Sequence, residues 1–137
     1  RRFKDTEFLE KVYPKLCEII VHHLKGTMHN IRVTDKGLLA QGVDGVQLTW
    51  MDARINDMVF TPRQGCPVEI NALWYNALKI YEYCSERLGK EVENNIIDVR
   101  GKVEENFLRT FWNRDGYLYD VVTPERSVDT ALRPNQV

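Results

Sequence analysis

Apolar positions recur every three or four residues from about 6 to 25, where Phe8, Val12, Leu16, Ile19, Ile20 and His23 share a stripe. That spacing predicts a helix. Asp5 or Thr6 suits its N-cap, and Gly26 suits its stop. Pro14 lies inside the pattern. It lacks a backbone donor and crowds the preceding turn, so a kink or split near Tyr13 is expected.

From 27 to 66 the pattern breaks into short runs. Leu38-Leu39-Ala40 and Val46-Gln47-Leu48-Thr49-Trp50 flank Gln41-Gly42-Val43-Asp44-Gly45, and an Asp-Gly pair between two such runs predicts a short β-hairpin. A connection this long inside a small domain tends to be functional.

Helical spacing returns at 67–88. Pro67 suits the first helical position, Glu69 the first turn, and Gly89 the C-terminal cap. Ile70, Leu73, Trp74, Tyr75, Ala77, Leu78, Ile80, Tyr81 and Tyr83 make this helix apolar nearly all round, which predicts a helix surrounded by protein. A further helix is expected over 91–112, with Val92, Ile96, Val99, Val103 and Phe107 on one stripe and Gly101 weakening it. Asn113-Arg114-Asp115-Gly116 reads as a turn, Tyr117 to Val122 as a short strand, and the rest as a polar tail.

The 137 residues suffice for one domain. Hydrophobic residues at 43% and charged residues at 28% describe a globular chain and exclude disorder and collagen-like repeats. A net charge of -1 gives no electrostatic footprint for nucleic acid or an anionic membrane, and no apolar run is long enough for a membrane span. No nucleic-acid partner and no membrane are therefore expected. Cys17, Cys66 and Cys84 are odd in number and form no C-x-x-C, which favours a reducing compartment over a disulfide framework. The chain opens at Arg1 without Met and ends at Arg133-Pro134-Asn135-Gln136-Val137, and is read as a segment of something longer.

Little chemistry is offered by the usual nucleophiles and ligands. His22 and His23 are adjacent and diverge by about 100° on a helix, so no metal site is expected. No G-x-S-x-G, dinucleotide or phosphate-loop pattern occurs. What remains is Asp52, which follows Thr49-Trp50-Met51. A carboxyl partly desolvated by Trp and Met has its pKa pushed up, which suits a general acid. Glycoside hydrolysis needs such an acid and a second carboxylate. Trp50, Trp74 and Tyr75 offer faces for sugar C–H groups, and Gln47, Arg63, Asn71 and Asn76 offer hydrogen-bonding edges. The plain alternative makes Asp52 a turn cap, Trp50 core and Glu69 a helix-dipole carboxylate.

Several motifs then stand in order: Gly37-Leu38-Leu39, Asp44 to Ala53 with Thr49-Trp50-Met51-Asp52-Ala53 at its end, Thr61-Pro62-Arg63, and Pro67-Val68-Glu69-Ile70-Asn71-Ala72-Leu73-Trp74-Tyr75-Asn76-Ala77-Leu78. Phe107, Phe111-Trp112-Asn113, Gly116 to Val122 and Arg133-Pro134-Asn135-Gln136 continue them. Together they resemble the C-terminal amylo-alpha-1,6-glucosidase domain of glycogen debranching enzymes, in its shorter prokaryotic form. The resemblance implies an all-α fold. In it, residues 1–137 form a single partial domain, a segment of an (α/α)6 barrel with long helices, structured loops and a short β-hairpin.

It also implies inverting hydrolysis of α-1,6-glucosidic branch points in glycogen-like glucans in the cytoplasm, without a cofactor. Asp52 matches the general acid. Trp50, Arg63, Glu69, Asn71, Trp74, Asp120, Arg133, Asn135 and Gln136 match positions around the sugar or supports of its pocket. The family's second carboxylate lies beyond Val137. Each assignment has a structural counterpart: Arg63 holding a loop carboxylate, Asn71 and Asn76 bonding backbone, Trp74 in the core, Asp120 bracing a turn. Two rivals stand beside it: a trehalose- or maltose-type glucosidase on the same barrel, and a non-catalytic carbohydrate-binding or assembly module. A partial barrel exposes apolar helix faces, so the segment is expected to self-associate or to need the rest of the barrel.

Overall fold

Asp5 begins the first helix, α1 (Thr6–Lys25), by accepting the Phe8 N–H at 2.8 Å through its side chain. The helix runs unbroken through Pro14, so the split expected near Tyr13 does not occur. Proline removes only one donor, and the buried Tyr13 and Ile20 hold the helix on either side of it. In the computed structural model, residues 5–56, 58–123, 125 and 127–136 are described.

A turn at Met28–Asn30 leads into a hairpin of β1 (Arg32–Val33) and β2 (Leu39–Ala40), paired Arg32 to Ala40 and Val33 to Leu39. A second small hairpin pairs β3 (Arg54–Ile55) with β4 (Met58–Val59). The hairpin expected around Asp44-Gly45 is therefore not the one formed. Gly42, two residues earlier, is held by backbone bonding to His29, which turns the chain away before Val46 can pair with Leu39. The true turn lies at Thr34–Gly37, closed by Gly37 N–H donating to Thr34 O at 2.9 Å. Gly37 has φ 78, and an added Cβ would stand 2.8 Å from the Val99 carbonyl oxygen, so glycine is required there.

Next come β5 (Cys66–Pro67), α2 (Val68–Arg87), α3 (Asn94–Phe111), β6 (Val121–Val122), β7 (Val128–Asp129) and a 3-10 turn at Pro134–Gln136. Strands β5, β6 and β7 make one antiparallel sheet with β6 in the centre, Pro67 opposite Val121 and Val121 opposite Asp129. The helices lie close to the predicted spans because apolar periodicity and caps mark them.

The fold class needs correction. Among the described residues there are three α-helices and three small antiparallel sheets, so the chain is mixed and not the all-α segment of an (α/α)6 barrel that the resemblance implied. The physical reason is visible on α2. Val68, Asn71, Trp74, Leu78, Tyr81 and Ser85 are buried at helical spacing on one side, while Leu73 is 62% exposed and Ile80 45%. An apolar composition does not require burial all round, because a single face suffices to seat the helix. The rest of the chain is rich in turn residues and forms two-residue ladders instead of helices.

The core joins α1, α2 and α3 through Ile20, Leu38, Leu78, Ile96, Val103 and Phe111, all fully buried. Each such side chain contributes about 1.5–3 kcal/mol relative to exposure. Tyr13 stacks on Tyr81 with centroids 5.7 Å apart, and its hydroxyl bonds the Ser85 hydroxyl at 2.9 Å. Arg100 of α3 binds Glu82 of α2 at 2.9 Å. Helix α2 packs against β5 and α3 against β6, so the helical core backs the β5–β6–β7 sheet.

Candidate functional site

The sheet places Asp120 between two strands' backbones. Its carbonyl accepts from Val68 N–H at 3.0 Å, and its N–H donates to the Asp129 carbonyl at 2.9 Å. The side chain, wholly buried, then meets Arg63, which is only 3% exposed. Arg63 Nε donates to Asp120 Oδ2 at 3.0 Å and Nη2 to Oδ1 at 3.2 Å. The far edge of the same guanidinium grips Glu69 in the first turn of α2, through Nη1 to Oε1 and through Nη2 to Oε2 at 2.6 Å. Arg133 Nη1 adds a bond to Asp120 Oδ2 at 2.8 Å and to Asp129 Oδ2 at 2.7 Å.

Two arginines thus face three carboxylates, Glu69, Asp120 and Asp129. A buried ion pair is tolerated only when its hydrogen-bonding capacity is filled, and this network fills it. Burial disfavours the Arg63 charge, but the bonds and charges of Glu69 and Asp120 outweigh it and hold the guanidinium pKa above its usual value. At Asp129, partial burial pushes up, yet the Ala131 N–H and the Arg133 guanidinium overcome it and hold the carboxyl below its ordinary range.

The network reaches Trp50 and Met51, the two residues before Asp52, through the Asn135 amide. Asn135 Nδ2 donates to Asp120 Oδ1 at 2.5 Å, and its Oδ1 accepts the Trp50 indole N–H at 2.9 Å. Met51 Sδ lies 3.5 Å from the same Nδ2. Trp50 is 61% exposed, its N–H held and much of its ring open to solvent.

Asp52 is exposed and makes no hydrogen bond or ion pair among the described residues. The desolvation expected from its aromatic and thioether neighbours is not provided by them, because the Trp50 indole N–H and the Met51 sulfur meet Asn135. Hollows of about 360 Å³ beside Arg32, Lys36, Leu38 and Cys66, and of about 610 Å³ along Asn76, Ile80 and Tyr83, are lined by neither Trp50 nor Asp52.

The remaining sequence-derived residues divide by what they touch. Asn71, fully buried, accepts Leu39 N–H at 2.7 Å and donates to the Leu39 and Pro67 carbonyls at 3.0 and 2.8 Å, stitching β2 to α2. Trp74 donates its indole N–H to Gly37 O at 3.1 Å from within the core. Gln136 Oε1 accepts Leu118 N–H at 2.7 Å, while its buried Nε2 has no partner among the described residues. Gln47 donates to Thr61 O at 3.3 Å, and Asn76 is exposed. Trp50, Arg63, Glu69, Asp120, Arg133 and Asn135 are therefore brought into one continuous network, and Asn71, Trp74 and Gln136 are not part of it. Asp129 belongs to it and was missed, its only signal being an acid four residues before Arg133. Met51, part of the Thr49-Trp50-Met51-Asp52-Ala53 run, meets the network through its sulfur.

Among the described residues no three His, Cys, Asp or Glu side chains gather as a metal site, and no helix is long and apolar enough to cross a membrane. Cys17, Cys66 and Cys84 are free thiols. What the arrangement offers chemically is an open aromatic face and an unpartnered carboxylate on one loop, fixed to a buried ionic network.

Curated proteins and solved structures include no match to this chain. The family model described as amylo-alpha-1,6-glucosidase matches residues 1–137, every position of the chain. The chain therefore belongs to the amylo-alpha-1,6-glucosidase family, a glycosidase-related group.

Proposed function

We propose that this chain takes part in the inverting hydrolysis of α-1,6-glucosidic branch points in glycogen-like glucans, with Asp52 as general acid. The observation that carries this reading is the family match across the whole chain. The geometry supports it at one point: Trp50 and Asp52, two residues apart, are both exposed on a loop whose indole is pinned by Asn135. Trp50 offers a face for the apolar side of a glucose ring, and Asp52 delivers a proton to the oxygen leaving the branch. The base that activates water is another carboxylate about 6.5–9.5 Å away. Glu69, Asp120 and Asp129 are engaged by arginines, so the base comes from outside this network. Arg63, Glu69, Asp120, Arg133 and Asn135 support the sugar-binding loop from beneath. No cofactor is required.

The exposure of Asp52 favours a second reading, a carbohydrate-binding module that holds glucan on Trp50 without cleaving it. The test is glucose release from branched limit dextrin by the full-length protein and by Asp52→Asn. Loss of release with retained dextrin binding supports the enzyme. Unchanged release removes Asp52 from the mechanism, and binding without release in the unsubstituted protein establishes the module. Comparing linear with branched substrates separates debranching from a trehalose- or maltose-type activity. The reading takes the reaction to be cytoplasmic, and three free thiols are compatible with a reducing compartment. The exposed Leu73 and Ile80 of α2 and Ile97 and Leu108 of α3 support association with a second copy or with further parts of the protein, read by light scattering.

A further inference from the structure

Among the described residues, Asn135 alone bonds both the Asp120 carboxylate and the Trp50 indole. Its amide nitrogen touches the buried Asp120 carboxylate at 2.5 Å, and its amide oxygen takes the Trp50 indole proton at 2.9 Å. Asp120 is fixed independently, by Arg63 and Arg133 through its side chain and by Val68 and Asp129 through its backbone. Trp50 is mostly exposed, and its indole N–H bond goes to Asn135. The fixed end and the free end are thus joined through one primary amide. The chemistry explains why an amide stands there. It must donate to a carboxylate on one side and accept from an indole on the other, and a carboxylate or an ammonium does only one of these.

We infer that Asn135 is a positioning residue. It transmits the fixed geometry of Asp120 to Trp50 and so sets how the Trp50–Asp52 loop is presented, a role that for catalysis rests on the reading of Asp52 given above. The buried Thr49 and the Ala53 carbonyl, which accepts the Phe60 N–H at 3.2 Å, hold the backbone on either side, so losing this tie frees the Trp50 ring and the short segment between them. A carboxyl whose tether wanders is misplaced for proton delivery, and a misplacement of about 1 Å costs as much as a hundredfold in rate. Asn135 itself does not touch the reacting atoms in this account, and the sugar face of Trp50 remains open.

The test uses the full-length protein with ¹⁵N-labelled indoles, the Trp50 resonance being identified by its loss in Trp50→Phe. In Asn135→Ala the Trp50 Nε1–H resonance is expected to shift toward the position of a solvent-exposed indole, while those of Trp74 and Trp112 stay. Because Asn135→Ala also removes a partner of Asp120, the tie is cut from its other end as well. Trp50→Phe alters an exposed residue, and the Asn135 side-chain amide resonance is expected to move in it. An unmoved Trp50 resonance in the first variant, or an unmoved Asn135 amide in the second, overturns the inference. Kinetics on limit dextrin give the catalytic half. Asn135→Ala is expected to lower kcat by about tenfold or more with KM within about threefold, the pattern of a lost transition-state alignment. A changed KM with unchanged kcat would instead make Asn135 a substrate contact and overturn the positioning role. If the unsubstituted protein releases no glucose, the hydrolase reading fails, while the two resonance shifts still decide whether Asn135 ties Trp50 to Asp120.

Discussion

The Arg63 guanidinium and the Asp120 carboxylate lie side by side in the protein interior, with Nε 3.0 Å from Oδ2 and Nη2 3.2 Å from Oδ1. Fifty-seven residues of chain separate them, and the β5–β6 pairing brings them together. A parallel two-point contact of this kind fixes orientation as well as distance. It is the anchor from which Glu69, Arg133 and Asn135 take their places.

Truncating that anchor leaves part of the network unfilled. In Asp120→Ala the Arg63 Nε–H loses its buried acceptor, Arg63 keeps Glu69 and Arg133 keeps Asp129, and the expected loss is about 3 kcal/mol, read from urea unfolding at neutral pH. Arg63→Lys is also expected to destabilise, because an ammonium cannot span Asp120 and Glu69 at once. A loss below about 1 kcal/mol for Asp120→Ala would mean that the network is bystander chemistry, as surface pairs are.

Helices were legible in the sequence because they are local. Phe8 to His23, Val68 to Leu88 and Val92 to Phe107 carry their period in the residues themselves, and Asp5 and Gly26 mark the ends. The family motifs were legible too, since residues 49–53 and 67–78 form long specific runs. What the pattern hid was partnership across the chain. Nothing near Arg63 announces Asp120, and nothing near Trp50 announces Asn135, because those contacts are made by strand pairing and a late turn. The exposed Leu73 and Ile80 misled in the other direction, since an apolar residue need not be buried.

At Gly37 the backbone itself carries a prediction. Its φ of 78 disfavours any side chain, and a Cβ would press on the Val99 oxygen and the Lys102 side chain, each 2.8 Å away. Its carbonyl also receives the Trp74 indole N–H. Gly37→Ala is expected to cost about 2–4 kcal/mol, combining backbone strain with displacement of α3 from the β1–β2 hairpin. Thermal unfolding measures it, and an unchanged midpoint would show that the turn relaxes freely.

Gly101 gives the opposite sign. It lies inside α3, and a Cβ there meets nothing within 4 Å. Alanine restricts the unfolded chain and suits a helix interior, so Gly101→Ala is expected to stabilise by about 0.5–1 kcal/mol. A rise in the denaturation midpoint without a change in slope is the expected result. Destabilisation would show that the protein needs a bare backbone at this point of α3.

Cys66 sets an alkaline limit to stability. Burial pushes its thiol from 9.0 up to about 11, with the nearby Lys36 and Arg32 charges pulling back only in part. The folded state therefore holds its proton where the unfolded state has lost it. Stability from this group is complete below about pH 9, and falls as pH rises through about 11, because only unfolding lets the thiolate reach water. The loss approaches about 2–3 kcal/mol once both states are ionised. Burial raises Tyr81 and Cys84 as well, so they add to the same alkaline slope and do not cancel it. Cys66→Ala loses some packing at every pH, but its stability should decline less steeply between pH 9 and 11 than that of the unsubstituted chain. Urea midpoints measured at one-unit intervals from pH 8 to pH 11 separate the two effects: a constant offset reports packing, and a narrowing gap reports the thiol. Parallel curves across that range would show that Cys66 ionises equally well in both states.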